Sequence, residues 1–153
     1  MANTYSQVNI HCVFAVKDRE NLLSSQLRPQ LFSYMHGILK NQGVHVLSIS
    51  GWTDHVHVFF ELPMTVSISK VMQDLKANSS KWMNQNGSVK GHFQWQAGYA
   101  AFSYSRSQRD DVIKYILNQE RHHAKRSFRE EYLELLRKSE VSFDENYLFD
   151  FFD

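Results

Sequence analysis

Residues 53–62 read TDHVHVFFEL, and their alternation decides how the rest of the chain is read. Successive side chains of a strand point to opposite faces, so Val56, Val58, Phe60 and Leu62 share one face while His55, His57, Phe59 and Glu61 share the other. One face is fit to be buried, and the other presents two imidazoles side by side. Such a fork is what a metal site on a sheet looks like, because neutral imidazole is a common nitrogen ligand. A solvated sheet face would carry the same spacing, so the pattern alone leaves both readings open.

Just upstream, VHVLSIS (44–50) is a second strand-like run, separated from the first by the turn-rich GWTD, which predicts a hairpin with the histidines at its return. Tyr5 to Val16 reads as an earlier strand: Val8, Ile10, Cys12, Phe14 and Val16 alternate with Gln7, Asn9 and His11. Between them, Leu27, Leu31, Met35 and Ile38 form a helical stripe that starts near Ser24 or Ser25, carries Pro29 in its first turns and stops at Gly43. After Pro63, Val71, Met72, Leu75 and Trp82 predict a second helix opening near Thr65 or Ser67. NQNGSVKG is a loop. FQWQAGYAAFSY (93–104) reads as a strand with a possible bulge at Gly98.

A third helix is expected from Ser105 or Ser107 to His123, with Asp110 and Asp111 favourably placed in its early turns. A fourth starts near Ser127 and has Phe128, Tyr132, Leu135 and Leu136 as its apolar side. This order predicts an α+β fold, a ferredoxin-like sandwich with a central antiparallel sheet (βαββαβ) plus C-terminal helices.

A length of 153 residues suits one domain with a real core, and 42% hydrophobic against 22% charged residues argues against long disorder. Neither an apolar run long enough to span a bilayer nor a secretory leader pattern is present, so a cytoplasmic protein is expected. Cys12 is the only cysteine, which excludes an internal disulfide and a cysteine-based zinc motif, and its setting in NIHCVFAV is that of a buried strand residue. The net charge is +1, yet residues 140–153 hold five acidic residues and no basic one, leaving residues 1–139 with 17 basic against 11 acidic. That basic body permits nucleic-acid binding without requiring it.

In KYILNQ, Tyr115 and Gln119 lie four residues apart, on one flank of the third helix, with Val112, Ile113, Ile116 and Leu117 on the other. Alone, such a tyrosine is ordinarily a boundary residue. Combined with two strand histidines, it has a chemistry: two imidazoles and an amide oxygen can hold a divalent ion, and a tyrosine one turn before the amide reaches a phosphate bound there. A phenolate is a better leaving group than an alkoxide, so a phosphotyrosine bond keeps the energy needed for rejoining.

The segments YSQVNIHCVFAVKDRE, GWTDHVHVFFEL, GYAAFSYSRSQRDDVIKYILNQERHH and FREEYLELLRKSEVSFDENYLF together resemble the HUH single-tyrosine transposases of the insertion-sequence-200/605 type, in the order expected of that family. The resemblance implies His55 and His57 as metal ligands, Gln119 as the third, and Tyr115 as the nucleophile that cleaves single-stranded DNA to a 5′-phosphotyrosine and a free 3′-hydroxyl. It implies Mg²⁺ or Mn²⁺ as cofactor, hairpins at the element ends as the DNA partner, a homodimer, and neither a membrane nor a nucleotide cofactor. It also implies a single transposase domain over 1–153, with the catalytic core at about 4–139; the acidic, aromatic tail at 140–153 is expected, from its own residues, to pack on its own subunit or the partner.

Asp54, next to the motif, is a candidate to orient a histidine, or simply a turn cap. Arg121, His122, His123, Lys125 and Arg126, with Arg129, are candidate phosphate contacts, although Glu130, Glu131 and Glu134 offer them ion pairs on a solvated face. Trp95, Tyr99 and Tyr104 are candidates to stack on unpaired bases, against a plain core role. Three rivals stay open: a domesticated relative acting on repeated palindromes, a hairpin-binding protein without catalysis, and a hydrolase in which His55 and His57 serve to activate water.

Overall fold

The computed structural model describes residues 3–143. Its strands are β1 (Asn9–Ala15), β2 (His45–Gly51), β3 (His55–Glu61) and β4 (Ala100–Tyr104), and its helices are α1 (Leu27–Asn41), α2 (Ile68–Gln85), α3 (Arg109–Leu117), α4 (Gln119–His123) and α5 (Phe128–Lys138), with short 3₁₀ turns at Lys17–Arg19 and Arg106–Gln108. The four strands form one antiparallel sheet in the order β2-β3-β1-β4. This is the ferredoxin-like βαββαβ arrangement with helices added at the C-terminal end, so the fold expected from the sequence is the fold observed.

Strand parity builds two different faces. Ile10, Cys12, Phe14, Val16, Val56, Val58 and Phe60 pack against Leu31, Met35 and Leu39 of α1 and Val71, Met72, Leu75 and Met83 of α2. These side chains are buried, each contributing about 1.5–3 kcal/mol of transfer free energy for the larger aliphatic and aromatic ones. Burial pushes the Cys12 thiol up to about 12, which makes it a packing group and not a nucleophile.

Local chemistry ends the elements where the sequence marks them. At the start of α1, Ser24 Oγ accepts the Leu27 N–H, and Pro29 sits in the first turn, where its missing N–H costs nothing. The helix closes on Gly43 at φ +75°, with Val44 N–H donating to Leu39 O and Gly43 N–H to Lys40 O, the Schellman pattern. Ser67 Oγ caps α2 through the Lys70 N–H, and Ser127 Oγ caps α5 through the Glu130 N–H.

Three elements differ from the sequence reading. β1 begins at Asn9 and not Tyr5, because its partners run out: Asn9 already pairs with Glu61 on one side and Tyr104 on the other. The strand expected over 93–104 is confined to 100–104; Gly98 at φ +85° turns the chain, and Trp95 reaches back only as an isolated bridge to Val16. The expected continuous third helix is broken at Asn118 (φ −94°, ψ 27°) into α3 and α4, and Leu117 is exposed instead of buried with Val112 and Ile116. Most of the acidic tail, residues 144–153, lies outside the described residues.

Candidate active site

The second face of the sheet is covered by α3, α4 and α5. Val112 and Ile116 of α3 pack on Phe59, while Phe128, Tyr132, Leu135 and Leu136 of α5 pack on Val13, Ala15, Ala100 and Phe102. Ala15 pairs with His55 in the sheet, and its small side chain leaves room for Phe128 to lie flat on the His55 ring at 3.8 Å. Both histidines are therefore fully buried, which decides against the solvated-face reading.

The turn that delivers them is held tightly. Trp52 N–H donates to His55 O, Val16 N–H to Asp54 O and Leu23 N–H to Thr53 O. A Cβ on Gly51 would stand 2.3 Å from the His55 carbonyl oxygen, so this strand end tolerates glycine alone. Asp54 Oδ1 lies 2.8 Å from His55 Nδ1, and His11 Nε2 lies 2.8 Å from His57 Nδ1. Each histidine thus has its outer nitrogen engaged and its Nε2 turned to one common point.

At that point stands the Glu131 carboxylate of α5, wholly buried. Its Oε1 is 3.1 Å from His57 Nε2, 3.3 Å from His55 Nε2 and 3.4 Å from His123 Nε2. Its Oε2 accepts the Tyr115 hydroxyl at 2.5 Å and the Gln119 amide N–H at 3.2 Å. Gln119 Oε1, in turn, is 3.1 Å from His55 Nε2. Although the helix is broken at Asn118, Tyr115 and Gln119 still reach the same carboxylate, because both remain on the side facing the sheet.

Electrostatics follow from this crowding. Burial works against a charged Glu131, but His57, His123 and His55 around it outweigh that and hold it ionised, well below the usual carboxylate range. Burial and then the neighbouring Glu131 charge push the Tyr115 phenol above its ordinary value. Burial lowers His57, whereas at His55 the hydrogen bonds to Asp54 and Glu131 overcome burial and lift it to about 9. His11 is lowered, by burial first and the nearby His57 second.

The donor set fits a divalent cation. His55, His57 and Glu131 offer one ligand atom each, all within 4.8 Å of one another. With Asp54 accepting the Nδ1–H of His55, the His55 Nε2 is turned to two oxygen acceptors, Gln119 Oε1 and Glu131 Oε1, and a divalent cation there would take the place of the Nε2 proton. For His57 to present a lone pair in the same way, its Nδ1–H must donate to His11.

Residues 4–119 match the family model described as "Transposase IS200 like". The chain belongs to this family. The transposase is 27% identical over 128 residues to the transposase for insertion sequence element IS200 of Salmonella typhimurium, an alignment covering 79% of this chain and 84% of that protein. Its fold is similar to the crystal structure of a candidate transposase from Deinococcus radiodurans R1 (TM-score 0.63, 20% identity, 78% of this chain and 95% of that one). It is also similar to a REP-associated tyrosine transposase bound to a REP hairpin (TM-score 0.58, 14% identity, 80% and 73%). Family, fold and the buried His/His/Glu cluster together make the protein a DNA transposase of the HUH type with a metal-binding site.

Several residues of the transposase lie elsewhere than the sequence reading put them. His123 joins the site, stacked on Trp52 and edge-on to His55, while His122 leans on Tyr115 from the outer side. Arg121 and Lys125 are exposed, and Arg126 pairs with Glu134 beside a cleft lined by Trp52, Asp54 and His123. Trp95 is buried, its indole N–H donating to Ser79 Oγ, so it is a core residue and not a stacking platform.

Two site residues escaped the sequence reading. Glu131, grouped there with solvated acids, lies three residues after Phe128 and four before Leu135, inside the buried stripe of α5, and that spacing was its available signal. His11 shares the parity of Val13 and Ala15, and its place beside His57 required the β1–β3 register.

Proposed function

We propose that this transposase cleaves and rejoins single-stranded DNA through Tyr115, forming a 5′-phosphotyrosine and freeing a 3′-hydroxyl. The reading is supported above all by one observation: Tyr115, Gln119, His55 and His57 converge on a single buried carboxylate. His55 and His57 would hold Mg²⁺ or Mn²⁺, with Gln119 Oε1 and Glu131 Oε1 as the oxygen donors within reach. When bound, such an ion would polarise the scissile phosphodiester and offset its charge.

The chain's own residues do the rest. Asp54 and His11 fix the orientation of the two imidazoles from behind, which keeps their Nε2 atoms aimed at the centre. Glu131 Oε2 accepts from the Tyr115 hydroxyl and is itself fixed by the Gln119 amide N–H, so the attack of Tyr115 begins from an ordered position. Arg121, Lys125, Arg126 and His122, of which His122 lies against the Tyr115 ring, serve in this reading as phosphate contacts for the bound strand. The DNA partner is single-stranded DNA with hairpins at the element ends, bound by a homodimer in the cytoplasm. Among the described residues no helix is long and apolar enough to cross a membrane.

The test is a denaturing gel with labelled single-stranded DNA from the element's ends, with Mg²⁺ or Mn²⁺, comparing wild type and Tyr115→Phe. A metal-dependent protein–DNA adduct that vanishes in the variant is the expected result. Cleavage that persists in Tyr115→Phe would transfer the activity to an activated water, and hairpin binding without cleavage would make this a binding protein.

A further inference from the structure

The helix α5 lies beyond residue 119, where the family match ends, yet it delivers a charged group to the middle of the site. From the geometry of that group we infer that Glu131 is the proton acceptor for Tyr115, a catalytic residue additional to the histidines, the glutamine and the tyrosine. The inference rests on the strand-cleavage reading given above.

The two carboxylate oxygens face different tasks. Oε1 is turned to His55, His57 and His123, and Oε2 is turned to the nucleophile, accepting the Tyr115 O–H at 2.5 Å. Gln119 donates to the same Oε2 at 3.2 Å, so that oxygen is fixed from a second direction. The carboxylate is held by these contacts from both sides, and its helix is anchored on the sheet by Phe128, Tyr132, Leu135 and Leu136 and capped by Ser127. Burial of an acid among apolar anchors costs free energy, and that cost is met here by polar contacts made almost entirely to functional side chains.

The chemistry needs an acceptor in this position. As the Tyr115 oxygen bonds to phosphorus, its O–H bond breaks and the proton passes to Glu131 Oε2. The P–O3′ bond breaks with its electron pair on the 3′ oxygen, which takes a proton from solvent to become the 3′-hydroxyl. In rejoining, the 3′-hydroxyl loses its proton to solvent and attacks phosphorus, and the departing phenolate recovers its proton from Glu131. Water is neither consumed nor inserted, and the phosphodiester is conserved.

The experiment combines Glu131→Gln, which keeps the size of the side chain, with 3,5-difluorotyrosine at position 115, whose phenol is far more acidic. Single-turnover adduct formation on single-stranded DNA is measured at saturating Mn²⁺, the saturation set for each protein by calorimetric Mn²⁺ binding. With tyrosine, Glu131→Gln is expected to slow adduct formation by a factor on the order of 10²–10⁴. With difluorotyrosine most of that loss should disappear, since the nucleophile no longer needs the acceptor. An equal loss with both tyrosines would overturn the inference and leave Glu131 a metal ligand or structural acid, and no loss with either would overturn it too. If Glu131→Gln fails to fold by thermal melting, Glu131→Asp is compared in the same two backgrounds, with the same criterion. Wild-type protein that forms no adduct would overturn the strand-cleavage reading itself, which the other outcomes leave standing.

Discussion

The two faces of one sheet follow opposite rules. Toward α1 and α2, β1 and β3 present only apolar side chains, and the layer is an ordinary core. Toward α3, α4 and α5, the same strands present Asn9, His11, His55 and His57, all buried, with Glu131 coming down from above. A buried polar cluster stabilises little and costs much when one member is removed, so its presence is explained by function, while the other face supplies the stability that carries it. A ferredoxin-like sheet can thus divide its work by strand parity: the even residues of β1 and β3 serve packing alone, while the odd ones set the polar cluster among packing residues such as Val13, Ala15 and Phe59.

The sharpest way to break this division is at Gly51, where both tasks meet. Gly51→Ala forces a Cβ to within 2.3 Å of the His55 carbonyl, so the strand end must move and take His55 with it. We expect a loss of about 3 kcal/mol or more in urea unfolding, together with weakened Mn²⁺ binding in calorimetry. An alanine variant as stable as wild type would mean that the turn has slack, and that His55 is not rigidly delivered.

A substitution confined to the apolar face should separate the two properties. Leu31 is fully buried against the sheet, so Leu31→Ala is expected to cost about 2–5 kcal/mol while leaving adduct formation per folded molecule unchanged. Loss of activity in the protein that remains folded would show that the faces are mechanically coupled. Conversely, the polar face should respond to metal alone. Mn²⁺ at a hundred times its dissociation constant should raise wild-type stability by about 2.7 kcal/mol, and Leu31→Ala by the same increment, whereas His57→Ala should gain nothing. A shift that survives His57→Ala would place the bound ion elsewhere.

How legible this division is in the sequence depends on which contacts are local. The alternation in β3 exposes the fork His55–His57, and the four-residue spacing of Tyr115 and Gln119 places both on one flank, because these are periodicities of single elements. The sheet order follows from element order and short connections. What the sequence withholds is pairing across elements: His11 meets His57 only through the β1–β3 register. Glu131 can be told from the other acids of FREEYLELL by its place inside the apolar stripe, but the groups it meets are set only by the packing of α5 over Ala15 and Ala100. The break at Asn118 is not announced by anything in ILNQE either.

The smallest effect compares two helix caps of the same chemistry. Ser67 and Ser127 each accept one backbone N–H at the start of their helices, from Lys70 and Glu130, so Ser67→Ala and Ser127→Ala should each cost about 1 kcal/mol. Their functional consequences should differ, because α2 serves the apolar face and α5 carries Glu131 four residues after its cap. Loosening the first turn of α5 frees the carboxylate that orders Tyr115, so Ser127→Ala should slow adduct formation several-fold where Ser67→Ala leaves it unchanged. Single-turnover rates of the two variants, compared at matched folded fractions, measure how far the site depends on the anchoring of α5 and not on stability in general. Equal rates would mean that the packing of Phe128, Tyr132, Leu135 and Leu136 alone fixes Glu131, and that the cap serves the helix but not the chemistry.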